Sequence, residues 1–170
     1  GARLMDELIT AAQQAAIAYD AGDPARIQHL LKVWAFARLI AREEKLPEDE
    51  REIVELAAVF HDIGIHQAER LHGSSAGRYQ ELEGPPIARR MMEKIGCSAA
   101  VTQRVCRMIG RHHTYQDVDG VDCRILLEAD LLVNIGEEDL SPAAIRTARE
   151  RVFRTAAGLR LLDILYPAKG

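Results

Sequence analysis

The chain is poor in aromatic residues: one Trp, four Tyr and three Phe make up 5% of its 170 residues. Cysteine is scarce too. Cys97, Cys106 and Cys123 are odd in number and lack CxxC spacing, so they read as reduced, mostly buried thiols rather than a disulfide framework. Neither charge sign dominates, with a formal net charge of -4, and nothing in that balance points to a nucleic-acid surface. No apolar run is long enough to span a bilayer, so no membrane partner is expected. No secretory signal peptide is visible, and a cytoplasmic location is expected. Strand patterns, internal repeats and linkers are also missing.

What is abundant is Ala, Leu and other helix formers, in a chain that is 48% hydrophobic and long enough for one domain with a sizeable core. Leu4, Leu8, Ala11, Ala15 and Ala18 mark an amphipathic helix over 3–20, closed by Gly22. Asp23-Pro24 opens a second helix, with Asp as N-cap and Pro in the first turn, running to about 45. A third covers 49–62 and a short one follows Gly64. Gly73 to Tyr79 reads as a loop, placed to act as a lid or substrate loop. Gly84-Pro85-Pro86 starts a helix over 85–95, and Ser98 caps another over 99–113. A helix around 125–133 is apolar nearly all round and so central. Ser141-Pro142 opens a last long helix to about 157, which Gly158 breaks before a helical tail to Tyr166. One all-α domain over residues 2–170 is the economical reading.

Certain polar residues fall where the apolar pattern points inward. His29 shares a face with Val33, Phe36 and Ile40. His61 and Asp62 end the apolar run Ala57-Ala58-Val59-Phe60, with Gly64 as its terminator. Asp130 shares a face with Cys123, Leu126 and Leu127, while Glu128 points elsewhere. Taken singly, each has a structural explanation as a hydrogen-bonded core group. Buried together, two imidazoles and two carboxylates leave charge unpaired unless a cation joins them. Imidazole with carboxylate suits Mn, Fe, Co, Ni or Zn rather than Ca. Arg104, Arg107 and Arg111 occupy the face opposite Val101, Val105, Met108, Ile109 and His112, and read as a solvated exterior.

His29, then His61-Asp62 32 residues on, then Asp130 inside an apolar helix resembles the HD superfamily of metal-dependent phosphohydrolases. The local runs agree: Arg26-Ile27-Gln28-His29, Val59-Phe60-His61-Asp62-Ile63-Gly64 and Leu127-Glu128-Ala129-Asp130-Leu131-Leu132. The resemblance implies a helical bundle of the HD-domain type. It places the metal core in about 24–135 and the C-terminal helices in about 141–166. It implies His29, His61, Asp62 and Asp130 as metal ligands, with Asp62 also orienting the attacking water. The implied reaction is hydrolysis of a small phosphoester, nucleotides foremost, by a metal-activated water.

Two-metal branches of that superfamily carry two further histidines. His112 and His113 stand at the later place. At the earlier one, where His often precedes a Gly-Pro step, this chain has Glu83, which is either a ligand or a helix cap. One or two ions are therefore expected. The Lys that many phosphodiesterase members carry after the HD-x-G step is replaced by Ile65 and followed by His66. No Gly-Tyr-Pro signature is present, which points away from the cyclic-dinucleotide branch. His66 or Arg78 is the available positive charge for a phosphate. Two other readings share the same ligands: a di-iron oxygenase or lyase, and a non-catalytic metal- or nucleotide-binding domain. Homo-oligomerisation is left open.

Overall fold

Asp23 and Pro24 begin the helix around which the others assemble. The Asp23 carboxylate accepts the Arg26 backbone N–H at 3.2 Å, and Pro24 fills a first-turn position where no donor is needed. In the computed structural model, which describes residues 2–168, this helix is α2, Pro24–Glu43. It follows α1 (Ala2–Tyr19) and precedes α3 (Glu48–Phe60), α4 (Ile65–His72), α5 (Gly77–Ile95), α6 (Ala99–Ile109), α7 (Val121–Glu137), α8 (Pro142–Arg151) and α9 (Ala156–Leu165). The described residues contain no strand, as expected of an all-α fold. Residues 169–170 of the expected domain lie outside them. No helix among the described residues is long and apolar enough to cross a membrane.

The core lies where α2, α3 and α7 meet. Leu30, Val33 and Ile40 of α2 face Leu56 and Phe60 of α3 and Ile125, Leu126 and Leu127 of α7, all buried. Each such side chain contributes about 1.5–3 kcal/mol relative to exposure. That apolar contact fixes the three elements that carry His29, the His61-Asp62 pair and Asp130.

Several boundaries differ from expectation, each for a physical reason. Helix α3 ends at Phe60, so His61 to Gly64 form a turn. Gly64 is not a left-handed terminator, since its φ is -84°. What requires glycine there is a close approach: a Cβ would lie 2.5 Å from the Gly84 nitrogen and 2.8 Å from its Cα.

Helix α5 starts at Gly77, and Pro85 and Pro86 lie inside it. Arg78 and Tyr79 are therefore helical rather than part of a loop. The Gln80 side chain donates to the Ser75 carbonyl at 2.6 Å, closing the short connection at 73–76 and nucleating α5 early. The fixed φ of proline is compatible with continuing the helix, at the loss of two amide donors.

Near the C-terminus, the expected break between the last two helices falls at 152–155 rather than at Gly158. Chain reversal at 152–155 is organised by Glu128, which is fully buried rather than pointing away. Its carboxylate accepts the Arg154 N–H at 2.7 Å, the Thr155 N–H at 3.0 Å and the Thr155 hydroxyl at 2.6 Å. Thr155 then caps α9, accepting the Gly158 N–H at 2.9 Å. Gly158 does not break a helix; any Cβ there would collide with Glu128 Oε1.

Candidate metal centre

Two of the three histidines at the centre are oriented by the same local device. Helix α3 ends with its last carbonyls lacking partners, and His61 Nδ1 bonds one of them, Ala58 O, at 2.6 Å. Helix α6 ends similarly, with His112 Nδ1 on Ile109 O at 2.7 Å. An Nδ1 that bonds a carbonyl carries a proton, so in the neutral ring Nε2 is the nitrogen left to present a lone pair to a metal. The third ring, His29, has its Nδ1 on Glu137 Oε1 at 2.7 Å. Its Nε2 also points inward.

The inward atoms converge. His29 Nε2 lies 3.2 Å from His61 Nε2 and 3.2 Å from Asp130 Oδ1. His61 Nε2 lies 3.3 Å from Asp130 Oδ1. Asp62 Oδ2 closes the set, 3.2 Å from His29 Nε2 and 3.4 Å from His61 Nε2. Donors bound to one ion by bonds of about 2.1 Å stand roughly 3.0–3.4 Å apart in octahedral or tetrahedral arrangement. These five separations match that spacing.

A second group shares Asp62. Its other oxygen, Oδ1, lies 3.2 Å from His112 Nε2, and His113 completes a triplet with ligand atoms within 4.8 Å of one another. His112 is fully buried, and apart from the approach to Asp62 its Nε2 makes no well-aligned hydrogen bond. A buried imidazole nitrogen without a well-aligned partner is costly, and it is the donor type a divalent transition ion accepts. The residues therefore fit a metal.

Electrostatics say the same in another way. Burial, the largest influence on His29, opposes its charge, yet the bonds to Asp130 and Asp62 prevail and lift it to about 9. Burial likewise opposes charge on His61, and Asp62 and Asp130 overcome it, raising His61 well above the usual range. Burial would raise Asp62 and Asp130; His61 foremost holds both well below the usual carboxylate range. The cluster is balanced by protons on its imidazoles, the charge that a divalent cation would replace. His113 is different: burial and the neighbouring His112 push it down to about 4.

Around these donors stand residues that the sequence reading did not single out. Arg26 Nη1 lies 2.8 Å from Asp62 Oδ2. It precedes His29 by three positions, one helical turn on the same face of α2. Glu137, which holds His29, also meets Lys32 at 2.6 Å and follows Asp130 by two helical turns. His113 is fixed from α5, where Gln80 Oε1 lies 2.9 Å from its Nε2 and Glu81 accepts its backbone N–H at 3.1 Å. Gly77 lies against that ring, since a Cβ would come within 2.8 Å of it. Tyr115 sits within the field of Asp130, and burial first, then the charges of Asp130, Glu138 and Glu81, push its hydroxyl up to about 12. Helical spacing offered signals for Arg26 and Glu137 only.

Other expected residues lie elsewhere. Glu83 belongs to neither donor group among the described residues; it meets His72 Nε2 at 2.8 Å. Lying inside α5, it caps no helix either. His66 is held by Asp23 at 2.7 Å. Arg78 lies 4.6 Å over the Tyr79 ring and donates to its hydroxyl at 2.7 Å. The outer arginines are not a uniform solvated face. Arg104 pairs with Asp122 at 2.7 Å and Asp119 at 3.1 Å, and Arg111 donates to Gln116 O at 3.4 Å, fastening the 114–122 segment to α6.

Comparison with known proteins follows this geometry. The HD domain family model matches residues 26–135, the span from Arg26 to two residues before Glu137. The crystal structure of a predicted HD superfamily hydrolase from an uncultured Thermotogales bacterium superposes with a TM-score of 0.63 at 24% identity. The match covers 95% of this chain and 84% of that one. At that identity it shows the shared fold. No curated protein matches the chain.

Proposed function

The chain belongs to the HD domain family, and from that premise we propose that it is a metal-dependent phosphohydrolase acting on a small phosphoester, nucleotides foremost. The observation that carries this reading is the convergence of His29 Nε2, His61 Nε2, Asp130 Oδ1 and Asp62 Oδ2 beside a guanidinium. Arg26, 2.8 Å from Asp62 Oδ2, is about one quarter exposed. It is thus partly desolvated and still reachable. Arginine matches phosphate oxygens by charge and by its planar fork.

His29, His61, Asp62 and Asp130 would hold the first ion. Asp62, His112 and His113 would hold a second, with Asp62 shared through its two oxygens. The bound metal supplies Lewis acidity, lowering the pKa of water toward about 7 and polarising a phosphoryl oxygen. The residues supply position. Glu137, Ala58 O and Ile109 O fix the ring orientations of His29, His61 and His112. Asp62, held ionised, accepts a hydrogen bond from the attacking water and orients it. Arg26 binds a non-bridging phosphate oxygen and neutralises its charge as the phosphoryl group is transferred.

The test is phosphate release from a panel of nucleotides and simple phosphoesters by protein loaded with Mn, Co or Ni. Turnover that Arg26→Gln reduces by about tenfold or more supports the reading. Oxygen consumption without phosphate release would replace it with an oxygenase of the same fold.

A further inference from the structure

A cleft of about 930 Å³ opens between the 113–116 turn, α7 and α8. Leu131, Leu140, Ala148 and Val152 form its apolar wall, Tyr115 stands on one side, and Glu150, Arg151 and Arg154 bring charge to its edge. Apolar walls with a few placed polar groups are the usual character of a small-molecule site, and the volume lies at the upper end of the usual range of roughly 300–1,000 Å³. The cleft joins the metal centre. His113 belongs both to its wall and to the second donor group. Leu131, also on the cleft wall, follows Asp130 directly.

Helix α8 makes the facing wall, and none of its residues is buried. Ala144, Thr147 and Ala148 turn the same side toward the void. The Arg26 side of the centre has a different nature: Arg26 is followed by Asp23, His66 and Asp20, a polar and ion-paired set. One flank matches a phosphate and the other an organic group.

Resting on the phosphohydrolase reading, we propose that the cleft under α8 seats the leaving group of the substrate, and that this group is a nucleoside-sized aromatic one packed beside Tyr115. The scissile phosphate then lies toward Arg26 and the ring system lies beyond His113. Selection among phosphoesters is made by Tyr115 and the small residues of α8, and not by the segment at 73–79.

Two variants test this: Ala148→Trp, which fills the cleft, and Tyr115→Ala, which removes its aromatic wall. Each is compared with the parent for hydrolysis of nucleoside 5′-monophosphates, p-nitrophenyl phosphate and glycerol phosphate. Metal content and thermal midpoint are measured alongside. The expected result is a fall of about tenfold or more in the ratio of kcat/KM for the aromatic esters to that for glycerol phosphate, carried by KM, at unchanged metal content. If Ala148→Trp does not fold, Tyr115→Ala decides alone. An unchanged ratio in an active, metal-loaded variant overturns the assignment of the cleft while leaving the phosphohydrolase reading intact. A metal-loaded parent that hydrolyses none of the three classes overturns the phosphohydrolase reading, and the cleft assignment falls with it.

Discussion

Glu137 and His29 are 108 residues apart in sequence, and Glu137 Oε1 lies 2.7 Å from His29 Nδ1. The carboxylate orients the ring and raises the basicity of the nitrogen on its far side. Glu137→Ala should therefore weaken divalent-metal binding by roughly 10–100-fold while leaving the fold intact. Titration of Mn into chelator-stripped protein measures this. Affinity equal to that of the parent would show that His29 needs no support from α7.

Gly64→Ala should be severe for a surface-sized change. The added methyl meets the backbone of Gly84 rather than a flexible side chain, so the 61–64 turn and α5 must separate. We expect a loss of about 2–4 kcal/mol in chemical denaturation together with reduced metal affinity, because His61 and Asp62 ride on that turn. A variant with parental stability would mean the two strands of backbone are not in contact.

Glu128 supports the α8–α9 connection and touches neither donor group. Glu128→Ala leaves the Arg154 N–H, the Thr155 N–H and the Thr155 hydroxyl without their acceptor and should cost about 2–4 kcal/mol, with metal content unchanged. Burial raises the Glu128 carboxyl above its usual value, against the opposing bonds from Thr155 and Arg154. A folded-state pKa above the unfolded one means that this group's contribution is complete below about 4.5 and is lost as pH rises through the folded value. The stability difference between parent and Glu128→Gln should therefore shift in favour of Gln over that rise. Thermal midpoints taken from pH 4 upward check the sign.

The arginines of α6 should separate by partner. Arg104 makes bonds to Asp122 and Asp119 and is only 24% exposed, so Arg104→Gln should loosen the 114–122 segment at a cost of about 1–2 kcal/mol. Arg107 is 62% exposed with one bond at 3.3 Å, and Arg107→Gln should stay within about 0.5 kcal/mol. Equal effects in urea unfolding would contradict this ranking.

Residues were readable where they interrupt an apolar pattern. His29 beside Val33 and Ile40, His61-Asp62 at the end of Ala57 to Phe60, and Asp130 within α7 all break a hydrophobic face, and the structure draws them to one point. Residues on polar stretches carry no such mark. Arg26 in the first turn of α2 and Glu137 in the last turn of α7 share helical faces with His29 and Asp130, but nothing local marks their bonds across the bundle to Asp62 and His29. Glu128 was misplaced because the C-terminal helices that bury it close a fourth side of α7, which periodicity on α7 alone does not reveal. Pro85 and Gly158 misled for a related reason. Both residue types usually mark helix ends, and here a local bond from Gln80 to the Ser75 carbonyl and the tertiary bonds of Glu128 set the boundaries instead.

The measurement that bears most directly on the central claim is metal stoichiometry by elemental analysis. It should be run on protein purified without chelators and on Asp130→Ala and Glu83→Ala prepared alongside. The account predicts one or two divalent transition ions per chain in the parent, the same number in Glu83→Ala, and loss of the ion shared by His29 and His61 in Asp130→Ala. A parent free of metal even after incubation with excess Mn, or an Asp130→Ala variant with the full complement, would contradict it.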